Sequence, residues 1–135
     1  MKLLLATALL LAANVNAATL TLELEGLRTK SGHVLIAVHT DAASFAGKVE
    51  PIATRRVEVT AEKLTVTIPD LAPGDYAVSL FHDTNGNDKL DTNFIGIPKE
   101  GYAFSNNVGA RGMPKFKDAR FTLSADGTTL TLKVF

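Results

Sequence analysis

The chain has 135 residues, 46% of them hydrophobic and 21% charged, with 14 basic and 14 acidic side chains. That is the composition of one ordinary globular domain, and a formal charge near zero gives no general attraction to nucleic acid or to an anionic membrane. Cysteine is absent, which excludes disulfides, thiolate zinc sites, lipid-modified cysteine and cysteine nucleophiles together.

In "MKLLLATALLLAANVNA", Lys2 precedes an apolar run from Leu3 to Ala13, and Val15-Asn16-Ala17 supplies small residues for cleavage. The pattern reads as a signal peptide over residues 1–17, cleaved after Ala17 or, alternatively, after Ala18, and too short for a permanent span. Losing Lys2 leaves 13 basic against 14 acidic groups. The expected product is a soluble, monomeric periplasmic or secreted protein of residues 18–135, with no membrane span and no nucleic-acid partner. The basic cluster Arg111, Lys115, Lys117 and Arg120 reads as a solvated loop face.

The exported chain is a series of short β patterns. In "ATLTLELEGLR", Leu20, Leu22 and Leu24 alternate with polar residues, the mark of a half-buried strand. "GHVLIAVHT" (32–40) is apolar on both faces, as in a central strand covered on both sides. "IATRRVEVT" (52–60) and "KLTVTIP" (63–69) are rich in β-branched residues. "GDYAVSLFH" (74–82) follows, then "ARFTLS" (119–124) and "TTLTLKVF" (128–135), the last two joined by an "ADG" turn as an expected hairpin. A short helical turn fits 41–46. The pattern predicts an all-β fold: a seven-stranded antiparallel immunoglobulin-like sandwich, with a long insertion between the sixth and seventh strands (F and G) over 83–118. "LAPGDY" (71–76) sharpens this, because a Pro-Gly turn followed by a core tyrosine is similar to the tyrosine corner of such sandwiches. That places 74–82 as strand F and 32–40 as strand B.

The insertion is too long for a passive turn. It carries Phe94, Ile95, Ile97, Tyr102, Phe104, Met113 and Phe116, which need surface to pack on, so it is expected to fold back over one sheet. It opens with "FHDTNGNDKLDTNF" (81–94), three aspartates and three asparagines around one glycine. Asp83, Asn85 and Asn87 fall at positions 1, 3 and 5 of an EF-hand-like frame. Lys89 offers a backbone carbonyl at 7, Leu90 packs at 8 and Asp91 sits at 9. Oxygen ligands at this spacing suit calcium. Position 6, normally glycine, is Asp88, and position 12, normally glutamate, is Phe94, so Asn93 or Glu100 would have to complete the shell. The competing reading is turn chemistry alone, since Asn and Asp bond their own backbone.

The stretch "FHDTNGNDKLDTNFIGIPKEGYAFSNN" resembles an exported bacterial group, domain-of-unknown-function family 2141, and the likeness runs from about Gly32 to Phe121. The resemblance implies export and an immunoglobulin-like or transthyretin-like sandwich, and implies no reaction. The family usually has glycine at the place of Asp88.

His39 and His82 are expected at one pole of the sandwich, ending strands B and F, with Asp41 and Asp83 nearby. Such a pair would suit a transition-metal carrier, although alternation points His82 towards the core and favours structural, hydrogen-bonded histidines. "SNN" and "GARG" (105–112) read as a turn-rich connection, with Arg111 suited to a carboxylate or phosphate if the loop touches a ligand. Ser31, Ser44, Ser79, Ser105 and Ser124 lie in no Gly-x-Ser-x-Gly context, and neither a phosphate-binding glycine loop nor a zincin helix occurs. The expected role is therefore a non-enzymatic binding or interaction module for a protein, glycan or small molecule, in which calcium orders the loop presenting Tyr102, Phe104 and Arg111. A metal carrier and a small hydrolase are the alternatives.

Overall fold

Leu20, Leu22 and Leu24 lie on one side of strand β1 (Ala18–Glu25), and all three are fully buried. They belong to a computed structural model that describes residues 17–135. The signal peptide expected over 1–17 lies outside those residues except for Ala17. After β1 come β2 (His33–His39), the short helix α1 (Ala42–Phe45), β3 (Ala53–Glu58), β4 (Leu64–Leu71) and β5 (Gly74–Asp83). Beyond a long segment lie β6 (Tyr102–Phe104), a 3-10 turn (Ser105–Asn107), α2 (Phe116–Ala119), β7 (Phe121–Leu123) and β8 (Thr128–Lys133). No helix among the described residues is long and apolar enough to cross a membrane.

The strands form two sheets, in the orders β4-β1-β8 and β3-β2-β5-β6, with β7 paired to the start of β5. Between them lies one core, to which β1 sends its leucines and β4 Val66 and Ile68, while β2 and β5 send Val34, Ile36, Val38, Val78 and Leu80. Period-two alternation selects which residues enter it.

Several expectations are corrected. Among the described residues there are eight strands where seven are expected, and five rather than six precede the long segment. β1 and β8 run parallel, with Leu22 opposite Leu130, so the sandwich is not wholly antiparallel. The ADG turn forms, with the Gly127 N–H donating to the Ser124 carbonyl, yet it makes no hairpin. β7 joins β5 and β8 joins β1, so Leu123 and Leu132 enter the core from different sheets. β2 and β5 are antiparallel neighbours in one sheet, which puts His39 opposite Ala77 and His82 opposite Val34. The two imidazoles thus sit at opposite poles, roughly 17 Å apart along the strands at about 3.3 Å per residue.

The long segment does fold back over a sheet. Phe104 and Ala119 are buried with Ala77 and Phe45 on the outer face of β5, and Tyr102, Val108 and Phe116 pack around them. Phe94, Ile95, Ile97 and Met113 stay exposed. α1 is held by its cap, the Asp41 carboxylate accepting from the Ser44 N–H at 2.8 Å.

At the β4–β5 corner Tyr76 is buried, and its hydroxyl donates to the Ala72 carbonyl at 2.6 Å. Tyr76→Phe removes that bond and leaves the ring, so unfolding in urea should show a loss of about 0.5–1.5 kcal/mol. Curves that superimpose on wild type would separate the hydroxyl from the stability of the corner.

Candidate functional site

β5 ends at Asp83, whose side chain is completely buried. Its Oδ1 accepts the N–H groups of Gly86 and Asn87 at 3.0 and 3.3 Å, and its Oδ2 accepts that of Asp88 at 2.7 Å. Three successive amides turned onto one carboxylate form a nest that winds the chain around Asp83. To close it, Asp88 adopts the left-handed conformation at φ 61°, a region that favours glycine. Its carboxylate is held outside by Arg56. Gly32 braces the nest from the other side, because a Cβ there would stand 2.1 Å from the Asp83 carbonyl oxygen.

A second carboxylate organises the far side of the loop. Asp91 accepts the side-chain amides of Asn85 and Asn87 at 2.6 and 2.7 Å. These hydrogen bonds, from Asn87 first and Asn85 next, hold its carboxyl below the usual aspartate range. Glu100, buried after a turn of chain, accepts from the Thr84 N–H and hydroxyl at 2.8 and 3.0 Å and from the Asp91 N–H at 3.0 Å. Lys89 is exposed and donates its own N–H to Asn87 Oδ1 at 3.0 Å. The structure thus brings Asp83, Asn85, Asn87, Lys89 and Asp91 into one hydrogen-bonded turn and joins Glu100 to it. Asn93 instead accepts from Ile95 and Ile97, shaping its own turn, and Phe94 at position 12 is 99% exposed. Among the described residues no three histidine, aspartate or glutamate side chains converge as a metal cluster. Any cation here would therefore draw on amide and backbone oxygens as well as carboxylates.

Both strand-end histidines are buried and bonded. His82 Nε2 donates to the Ser31 carbonyl at 2.6 Å. His39 shares hydrogen bonds with Ser44 Oγ at 2.7 Å and Ser79 Oγ at 2.8 Å, and stands edge-on to Phe45. That set ties α1 to the outer sheet face. Ser79 lies in mid-strand between Ala37 and Phe104, where the ladder engages the backbone that an oxyanion would require.

The "SNN" sequence is a brace. Ser105, fully buried, donates to the Ala119 carbonyl at 2.5 Å and accepts the Val78 N–H at 2.9 Å. The Asn106 amide donates to the Asp118 and Arg120 carbonyls, and Asn107 spans to Thr131 and Lys133 of β8. No local pattern marks these partners, which lie between 12 and 26 residues away. Arg111, Lys115, Lys117 and Arg120 are exposed.

Between the Asp83 loop and the brace, the outer sheet face opens into two cavities of about 500 and 420 Å³. They share Leu90, Tyr102, Phe104 and Met113. Leu35, Ala37, Ser79 and Phe81 floor the first; Ile97, Pro98 and the 109–112 turn wall the second. Apolar residues on both faces of β2 predict cover on both sides, but its outer residues Leu35 and Ala37 are only half-buried. The incomplete cover is the cleft.

Residues 22–131 match the family described as an uncharacterized protein conserved in bacteria (DUF2141). No curated protein and no solved structure matches the chain.

Burial lowers the pKa of His39 below the ordinary histidine value, with Asp41 opposing in part. The folded state then binds a proton less readily than the unfolded state. The stability that neutral His39 contributes is present above the unfolded pKa, about 6.5, and is lost as pH falls towards the folded value. Urea unfolding of wild type at pH 7.5 and 5.5 should show a larger acid loss than His39→Gln, and equal losses would dismiss the effect.

Proposed function

The chain belongs to the DUF2141 family of bacterial conserved proteins, and we propose that it is an exported, monomeric, non-enzymatic binding module whose Asp/Asn loop takes calcium to fix one wall of its cleft. We read the sandwich as immunoglobulin-like. The order β3-β2-β5-β6 corresponds to C′-C-F-G and the β4-β1 pair to E-B. Tyr76 supports this reading by lying at the β4–β5 junction, where an E–F corner belongs. On that reading β2 is strand C, which accounts for His39 and His82 lying at opposite poles. That separation favours a loop site over a transition-metal carrier.

The observation that carries the calcium reading is the buried Asp83 carboxylate, cradled by Gly86, Asn87 and Asp88 beside the Asn85 and Asn87 amides gathered on Asp91. The donor set fits a hard cation. Carboxylate oxygens come from Asp83 and Asp91, amide oxygens from Asn85 and Asn87 once their side chains turn over, and a carbonyl from Lys89. The cation would add positive charge where Asp91 now has chiefly the N–H dipoles of Asn87 and Asn85, with Lys99 contributing less. Glu100 ties Thr84 to Asp91, and Leu90 between them lines the cleft, so ordering the loop orders the wall. Magnesium fits less well, because it demands tighter octahedral geometry.

For residues 18–135, calcium at a hundredfold excess over its dissociation constant should stabilise the fold by about 2.7 kcal/mol and slow proteolysis within 83–118. Asp83→Ala should abolish the response and Asp91→Ala weaken it. Asp88→Gly should preserve it, since glycine relaxes the left-handed turn. A flat calorimetric titration with unchanged melting would reduce the loop to a turn.

A further inference from the structure

We propose that the cleft binds a single-chain anionic amphiphile, a fatty carboxylate, with its chain on the sheet and its head at Arg111. This rests on the reading of the chain as a binding module and names the ligand class of its cleft. The floor is set by register: Arg56, Leu35, Phe81 and Tyr102 lie in one row across four strands, and Thr54, Ala37, Ser79 and Phe104 in the next. Leu35 and Phe81 are half-buried, and Leu90 of the Asp83 loop lines the same cavity. Because Leu90, Tyr102, Phe104 and Met113 line both cavities, the two form one run of apolar surface, within the size range of small-molecule sites. Such a run, walled by Leu90, Ile97 and Met113 beside the rings of Tyr102 and Phe104, suits an acyl chain.

Charge fixes the head group. No carboxylate lines either cavity, and the charged residues that do are Arg55, Arg56 and Arg111. Arg56 is engaged by Asp88, the sole ion pair among the described residues. Arg111 makes no ion pair among the described residues, although Asp118 lines a neighbouring cavity with it, and a guanidinium fork donates two parallel hydrogen bonds to a carboxylate. It sits on the 109–112 turn that walls the second cavity. Gly109 seats that turn closely, since a Cβ there would stand 2.5 Å from the Phe104 ring. Met113, 66% exposed, and Ile97, 54% exposed, leave apolar surface in the same walls, which an acyl chain would cover.

The test is calorimetric titration of residues 18–135 with dodecanoate below its micelle concentration, compared with dodecanol. Saturable one-to-one binding of dodecanoate is expected, about tenfold or more tighter than dodecanol, the scale of a charge-assisted hydrogen bond. Arg111→Gln should reduce the carboxylate to the level of the alcohol, and Met113→Glu should weaken both; each replaces an exposed side chain, so folding is retained. Absence of saturable binding, or an Arg111→Gln variant equal to wild type, overturns the proposal. So does binding to anionic vesicles, or self-association, without binding of free dodecanoate. Each titration is run with and without calcium. A calcium response without dodecanoate binding defeats the ligand assignment alone, and dodecanoate binding without a calcium response defeats the loop reading alone.

Discussion

A carboxylate removed from water must find its partners inside the fold, because an uncompensated buried charge costs several kcal/mol. Asp83 is fully buried, and the three amides of Gly86, Asn87 and Asp88 are its compensation. Hydrogen bonds to a charged group contribute about 1.5–3 kcal/mol each, enough in sum to dictate the local path of the chain. Asp88 enters the left-handed region to deliver its N–H, Gly32 has no side chain so that the Asp83 backbone can pass, and Arg56 collects the displaced Asp88 carboxylate. The loop is wound around one side chain.

β5 transmits that constraint to the rest of the molecule. Its inner face holds Tyr76, Val78 and Leu80 in the core, and its outer face carries Ala77, Ser79 and Phe81 before ending at Asp83. One outer end is sealed by Phe45, Phe104 and Ala119, with His39 clamped between Ser44 and Ser79. The other end is roofed by the Asp83 loop. The cleft is what lies between a sealed end and a roofed one, so its shape follows from two local hydrogen-bond systems, with Ser105, Asn106 and Asn107 fixing the return of the chain. An ion at the loop would therefore act on the cleft through Leu90, without touching a ligand.

Much of this is legible in the sequence, for reasons specific to particular residues. Alternation in Leu20, Leu22 and Leu24 assigns a face, "LAPGDY" assigns a corner, and the stretch 41–46 assigns a short helical turn. The clustering of Asp83, Asn85, Asn87 and Asp91 suggests a calcium frame with a turn as the competing reading, and these residues share one hydrogen-bonded turn. Partner choice was not legible, because a period of two says which side chains face the core and nothing about which strand lies alongside. Hence the labels B and F, which belong to opposite sheets, fail for β2 and β5, which pair in one, and the expected β7–β8 hairpin gives way to two strands that each complete a different sheet. β6 escaped because three residues cannot display a period. The brace at Ser105–Asn107 escaped because its partners are backbone carbonyls and amides, which have no identity in a sequence.

The account depends on the Asp83 carboxylate organising the loop, and amide hydrogen exchange measures this directly. In wild type the amides of Gly86, Asn87 and Asp88 should be protected despite their exposed surroundings. In Asp83→Asn that protection should fall sharply, while the core amides of Val34 and Val78 exchange as before. Equal protection of the three loop amides in both proteins would contradict the account.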